Sequence, residues 1–248
     1  MTHPITPREL ADLVDDHLSH GLLAFDVDGV LAPIVEHADD SALLDGTLDA
    51  LAGLTARTSV AIVSGRALES LERLFAFPPE VHVIGSHGLE VRGSEIVLLD
   101  ANEQGAFEQL QLLAAEAVAA AGDGAWLEFK PASVVLHTRS ADPELAARAV
   151  GSVSDLASMI DGAEVKAGRQ VLELLARRSD KGTALKGLAG RLGRSPMIYF
   201  GDDVTDEDAF EVLVGGDITV RVGPGDTAAR YRLDHPAAVA EFLQHLTT

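Results

Sequence analysis

The strongest constraint on the fold is the run Leu22-Leu23-Ala24-Phe25-Asp26-Val27-Asp28-Gly29-Val30-Leu31. Four apolar residues lead into two carboxylates two positions apart, and a glycine follows where the chain must turn. A short apolar run of this kind reads as a strand buried on both faces, as in a parallel sheet. Ending it on Asp-x-Asp is costly unless the carboxylates have a partner. The usual partner for clustered hard oxygens at a strand's carboxyl end is Mg²⁺. A strand followed by a solvated acidic turn is the plainer alternative.

The same sequence grammar recurs along the chain. Residues 58–63 read as a second buried strand running into Ser64-Gly65-Arg66, with a helix expected over 67–75. Residues 81–84 form a third, leading to Gly85-Ser86-His87-Gly88-Leu89-Glu90, and a hairpin turning at Gly93-Ser94 is expected over 91–97. Helical spacing marks residues 43–54, and Thr6-Pro7-Arg8-Glu9 reads as a capping box with proline at the first helical position. From about Asn102 the rhythm changes to helix (104–121), two strands (126–130, 133–139), helix (143–159) and two strands (164–166, 170–175). Helix, hairpin, helix, hairpin describes a small α+β unit inserted into a larger fold. The β/α rhythm then resumes with a helix opened by Lys181, a strand over 197–200 ending in Gly201-Asp202-Asp203-Val204-Thr205-Asp206-Glu207-Asp208, and a strand over 218–222. A C-terminal helix begins near Pro236. The expected fold class is therefore α/β: a parallel sheet flanked by helices (residues 1–100 and 177–248), with an inserted α+β cap (101–176).

Composition narrows the function. Among 248 residues, 19 Lys and Arg face 39 Asp and Glu, for a formal charge of −20. That balance argues against nucleic-acid or anionic-membrane partners, both of which need basic surface. With no cysteine there is no disulfide framework, thiolate zinc site or thiol nucleophile. No apolar run approaches the ~18 residues of a membrane span, and the N-terminus lacks a secretory leader's basic start and apolar stretch. The expectation is a soluble, cytoplasmic monomer.

The strand ends carry Asp26 and Asp28, Ser64, and Asp202 and Asp203, with Lys181 opening a helix. In an open α/β sheet the carboxyl ends share one edge, so these groups converge despite their distance in sequence. Several carboxylates meeting without a cation would repel, so a divalent ion is expected, with Asp26, Asp28, Asp202 and Asp203 as ligands. The set suits phosphoryl transfer through an aspartyl-phosphate. Asp26 would attack phosphorus; Asp28 would protonate the leaving alkoxide and then activate water. Ser64, Lys181 and backbone N–H groups would hold the equatorial oxygens.

In order along the chain, DxDG, Ser-Gly-Arg, an isolated lysine and GDDxxDxD resemble the haloacid-dehalogenase-type phosphatases, which implies a Rossmannoid core. The likeness narrows further. Gly85-Ser86-His87-Gly88-Leu89-Glu90, Glu128-Phe129-Lys130, His137-Thr138-Arg139, the Gly201–Phe210 segment and Thr227–Leu233 resemble trehalose-6-phosphate phosphatases. The resemblance implies a sugar-phosphate substrate bound by Gly65, Arg66, His87, Glu128 and Lys130, with Glu173 as a third group on the cap. Each has a plainer alternative. Glu128 and Lys130, at i and i+2, could form an exposed salt bridge. His87 could be a packed loop histidine, and Arg66 could pair with a nearby acid. Glu207 and Asp208 read as a solvated helix start, and whether Asp203 or Asp206 touches the metal stays open. The chain departs from the family pattern at Val30, where threonine is usual, and after Glu173, where Leu174-Leu175-Ala176-Arg177 replaces an expected Arg-Pro. Two other functions fit the residues: the same chemistry on another glycosyl or pseudo-disaccharide phosphate, and a catalytically silent sugar-phosphate-binding module.

Overall fold

A computed structural model describes residues 2–93, 99, 101–168, 170–177 and 180–247. The elements in order are β1 (His3–Pro4), α1 (Pro7–Asp15), β2 (Leu22–Phe25), α2 (Thr47–Leu54), β3 (Ser59–Val63), α3 (Leu68–Leu74), β4 (His82–Gly85) and β5 (Glu90–Val91). Then follow α4 (Ala101–Ala121), β6 (Trp126–Phe129), β7 (Ser133–His137), α5 (Pro143–Ala157), β8 (Glu164–Gly168) and β9 (Val171–Leu175). The chain ends with α6 (Lys181–Leu192), β10 (Met197–Gly201), α7 (Val204–Val212), β11 (Ile218–Val222), β12 (Tyr231–Leu233) and α8 (Pro236–Thr247). Two compact units result: Met1–Ser94 with Asp180–Thr248, and Glu95–Ser179.

The first unit is built on an eight-stranded sheet of order β1-β12-β11-β10-β2-β3-β4-β5. All its pairings are parallel except β4 with β5. Because successive side chains alternate, Leu23 and Phe25 of β2 join Val14, Leu51 and Phe242 in one apolar layer. Leu22 and Ala24 face the other way, onto Leu185, Leu188 and Phe210. Every residue of β2 is buried, as its unbroken apolar run requires. From β2 the chain builds outward through β3 and β4 on one side and returns through β10 on the other. That puts a topological switch point between β2 and β10, where ligands of open α/β sheets sit.

The second unit is a four-stranded antiparallel sheet, β6-β7-β9-β8. One face packs Leu136, Leu172 and Leu174 against Leu110 and Ala114 of α4 and Val153 of α5. Asp142 caps α5 by accepting from the N–H groups of Glu144 and Leu145.

Local differences from the sequence expectations have physical reasons. The helix expected from residue 43 begins at Thr47, because Gly46 before it is left-handed (φ +80°); Leu43 packs on the core from a loop. The capping box forms as read, with Thr6 and Glu9 exchanging hydrogen bonds. Of the expected 91–97 hairpin, Val91 pairs with Ile84 of β4, and residues 94–97 lie outside the described residues. The outer strands β1 and β12 were not expected at all. No helix among the described residues is long and apolar enough to cross a membrane.

Candidate active site

The sheet's register brings the sequence-predicted acids together. β10, β2 and β3 are adjacent, so Asp202, Asp26 and Ser64 leave neighbouring strands at one carboxyl edge. Asp26 is 5% exposed. One of its carboxylate oxygens accepts from its neighbour Val27 N–H at 2.6 Å and the other from Lys181 Nζ at 2.6 Å. Lys181 also donates to Asp206 at 2.8 Å and is itself 1% exposed. A lysine at the first position of a helix opposes the helix dipole. Two carboxylates offset that cost, and together they fix the ammonium beside Asp26.

Asp206 anchors the turn after β10. Its second oxygen accepts from the N–H groups of Asp202 (2.8 Å) and Asp203 (3.0 Å), and Tyr199 Oη donates to the first at 2.5 Å. Asp203 caps α7, accepting from the N–H groups of Thr205 and Asp206. Asp202 presses onto the Asp-x-Asp-Gly loop so closely that a Cβ on Gly29 would lie 1.9 Å from its Oδ2. Gly29 is also left-handed, at φ +78°. Glycine is needed there on both counts.

The other expected residues hold the loops around the acids. Asp28 is gripped by Arg66 through Nε at 2.5 Å and Nη2 at 2.7 Å, and by Ser41 Oγ at 2.9 Å. Arg66 also donates to the Ala38 carbonyl, so in this structure it pairs with a nearby acid. Ser64 is buried, and its Oγ accepts from the Arg66 N–H. His87 lies flat enough on Gly65 that a Cβ there would come within 2.6 Å of the ring. Ser86 and His87 both hold left-handed backbone (φ +48° and +54°), a cost that non-glycine residues bear chiefly at functional sites. Ser86 and the Leu68 N–H both bind Glu90, which ties this loop to α3.

Negative charge is crowded at this edge. Burial pushes the Asp26 carboxyl up to about 8, with the Asp206 charge adding to it and Lys181 pulling against it. Burial and the charges of Asp206 and Asp203 raise Asp202 to about 7. For Asp203, burial pushes up, but the Lys181 charge and the bonds from Thr205 and Asp206 hold it below its usual value. Burial would lower Lys181, yet the Asp26 and Asp206 charges outweigh it and hold the ammonium protonated. Asp26, Asp203 and Asp206 each offer an oxygen within 4.8 Å of the others. Asp202 adds a fourth carboxylate nearby. An all-oxygen set with more negative than positive charge fits Mg²⁺. Asp28 stands apart from this cluster, its oxygens held by Arg66 and Ser41.

On the second unit, the sheet face away from the helices is polar. Glu128, Val135, Glu173 and Lys166 form one rung across the four strands. Glu128 and Lys130 do not pair with each other. Glu128 binds His137 Nε2 at 2.9 Å, while Glu173 accepts from Lys130 Nζ at 3.1 Å and Ser133 Oγ at 2.6 Å. Lys130 and Glu173 are largely buried. After Glu173 the departing segment has its own structural reason: Leu174 and Leu175 are buried, and Arg177 pairs with Glu103. A groove of about 810 Å³ between α4 and α5 is lined by Leu112, Leu113, Leu156 and Met159. It lies on the helical side and holds little chemistry.

Sequence reasoning left Asp206 open, passed over Tyr199 and Ser41, and gave His137 no role beyond the family likeness. Asp206 could have been found, because Asp203-Val204-Thr205-Asp206 has the N-cap-to-N3 spacing of a capping box. Ser41, Tyr199 and His137 carry no such local signal. Val30 is wholly buried within the apolar layer that Leu23 and Phe25 join, a setting in which valine packs without a hydroxyl to satisfy.

An open parallel sheet with clustered aspartates and a buried lysine at its carboxyl edge defines the haloacid-dehalogenase-like class. Solved structures share that fold. A trehalose-6-phosphate phosphatase of Aspergillus fumigatus aligns with a TM-score of 0.74 and 26% identity, over all of this chain and 99% of its own. The C-terminal domain of a Candida albicans trehalose-6-phosphate phosphatase aligns with a TM-score of 0.77 and 24% identity, over all of this chain and 98% of its own. The trehalose-phosphatase family model matches residues 24–237. A trehalose-phosphate phosphatase of Mycobacterium tuberculosis is 36% identical, over 92% of this chain and 63% of its own. A probable trehalose-phosphate phosphatase of Oryza sativa is 34% identical, over 90% of this chain and 68% of its own. The chain belongs to the trehalose-phosphatase family. It spans 63% of the length of its mycobacterial relatives.

Proposed function

We propose that this chain is a Mg²⁺-dependent phosphatase that releases phosphate from a phosphorylated disaccharide, trehalose 6-phosphate. The observation that carries the reading is the buried Asp26–Lys181–Asp206 cluster at the switch point of the sheet. It holds one carboxylate ready for attack, with a fixed cation beside it. An Asp26 oxygen attacks phosphorus as the bond to the sugar oxygen breaks, and Asp28 gives that oxygen its proton. Asp28 then takes a proton from water as the water attacks the phosphorus of the aspartyl-phosphate, which frees phosphate and restores Asp26. Lys181, Ser64 and the backbone N–H groups after β3 hold the phosphoryl oxygens as charge spreads over them. Arg66 keeps Asp28 aimed. Mg²⁺, held by Asp26, Asp202 and Asp203, would supply the charge that lets an anion approach a carboxylate. In the second unit, the cap of this reading, Glu128, Lys130 and Glu173 offer the acceptors and donors that sugar hydroxyls need.

The test is phosphate release from trehalose 6-phosphate, sucrose 6-phosphate, glucose 6-phosphate and a pseudo-disaccharide phosphate, with and without Mg²⁺, alongside Asp26→Asn. The expected result is Mg²⁺-dependent release from trehalose 6-phosphate, lowered on the order of 10⁴-fold in Asp26→Asn. Preference for another phosphorylated disaccharide keeps the mechanism and changes the sugar. Binding without turnover of any phosphate overturns the reading.

A further inference from the structure

The chain's single tryptophan stands where ordinary packing does not explain it. Trp126 opens β6, the edge strand of the second unit's sheet, and is 53% exposed. Leu127, the next residue, turns to the helices and packs in the apolar layer, so Trp126 and Glu128 share the polar face. Across the strand pair Trp126 is opposite His137. Their rings stack with centroids 3.8 Å apart and planes 1° from parallel. His137 in turn holds the Glu128 carboxylate at 2.9 Å. One histidine therefore fixes both an aromatic wall and a hydrogen-bonding carboxylate two residues along the same strand.

That arrangement matches the two sides of a pyranose ring. The C–H face of a sugar is apolar and weakly positive and packs on the negative face of an aromatic ring, while its hydroxyls need acceptors at the rim. Small-molecule sites combine such apolar walls with a few placed polar groups. Trp126 and Glu128 lie about 7 Å apart along an extended strand, close to the width of one hexose. We infer that Trp126 is a specificity-determining residue that stacks on a sugar ring of the substrate, with His137 as the positioning residue that orients Trp126 and Glu128 together. This deepens the phosphatase reading and rests on it for the identity of the sugar.

The sole tryptophan makes the test direct. Its emission is followed in Asp26→Asn during titration with trehalose 6-phosphate, trehalose and inorganic phosphate, with Asp26→Asn/Trp126→Phe as the blank. A saturable change with both sugars and none with phosphate supports the assignment. No change with either sugar, or an equal change with phosphate alone, overturns it. In steady-state kinetics, Trp126→Ala should raise KM for trehalose 6-phosphate about tenfold with kcat nearly kept. Trp126→Phe should restore most of the loss, because its ring keeps an aromatic face. A variant Trp126→Ala with unaltered KM overturns the stacking role while leaving the phosphatase reading intact. If the wild-type chain turns over a different sugar phosphate, the same titration is run with that compound. A saturable emission change then supports the stacking role, and a flat one overturns it.

Discussion

The two polar regions of this molecule are built on opposite principles. At the carboxyl edge of β2 and β10, Asp26, Lys181 and Asp206 are buried and crowded, and each is held by more than one partner. Asp206 alone takes bonds from Lys181, Tyr199 and two backbone N–H groups. On the inserted sheet's polar face, Glu128 pairs with His137 partly open to solvent, and the largely buried Glu173 holds Lys130 and Ser133. The first region uses the fold's stability to hold an excess of negative charge in place. The second leaves its charges near balance and its partners exchangeable, which suits groups that must trade a protein bond for a ligand bond.

The comparison can be broken at its strong end first. Asp206→Ala strands a buried lysine and two backbone donors, and it should lower the unfolding free energy by about 3–5 kcal/mol. Urea unfolding with and without Mg²⁺ measures this, and a loss below about 1 kcal/mol would show that the cluster is not the anchor described above. Val30→Thr puts a hydroxyl into the apolar layer next to the site and should cost about 1–2 kcal/mol by the same measurement. A neutral or stabilising outcome would mean that a partner waits for the hydroxyl. At the weak end, Lys130→Ala should change stability by about 1 kcal/mol or less, since Glu173 keeps Ser133. Its effect should appear instead as a rise of about tenfold in KM for the disaccharide phosphate, with p-nitrophenyl phosphate hydrolysis unaffected. If stability falls as far as in Asp206→Ala, the two regions do not differ in kind.

Much of the architecture was legible because it is written in local terms. Buried parallel strands announce themselves as unbroken apolar runs, and Asp26, Ser64 and Asp202 were found because each closes such a run. The α+β insertion showed as a change of rhythm. What escaped depended on register or on length. Strands β1 and β12, of two and three residues, are too short to carry a period. The pairing of Trp126 with His137, and of Lys130 with Glu173 rather than Glu128, follows from which residues face each other across strands, and sequence alone does not set that. Arg66 was expected at the substrate; its grip on Asp28 required knowing that β2 and β3 are neighbours. The departures at Val30 and after Glu173 each have a structural setting, in packing and in the Arg177–Glu103 pair.

The position of β10 between β2 and β11 has a consequence for how the chain is made. Asp26 and Lys181 are separated by 155 positions, and the strand that covers one edge of β2 arrives only at residues 197–201. During synthesis, the first half of the sheet therefore waits with its most apolar strand unpaired along one side while the whole insertion emerges. Such an edge is a template for pairing with other chains. Maturation thus depends on late closure by a central strand, and a chain cut short before residue 197 would lack the strand that shields that edge.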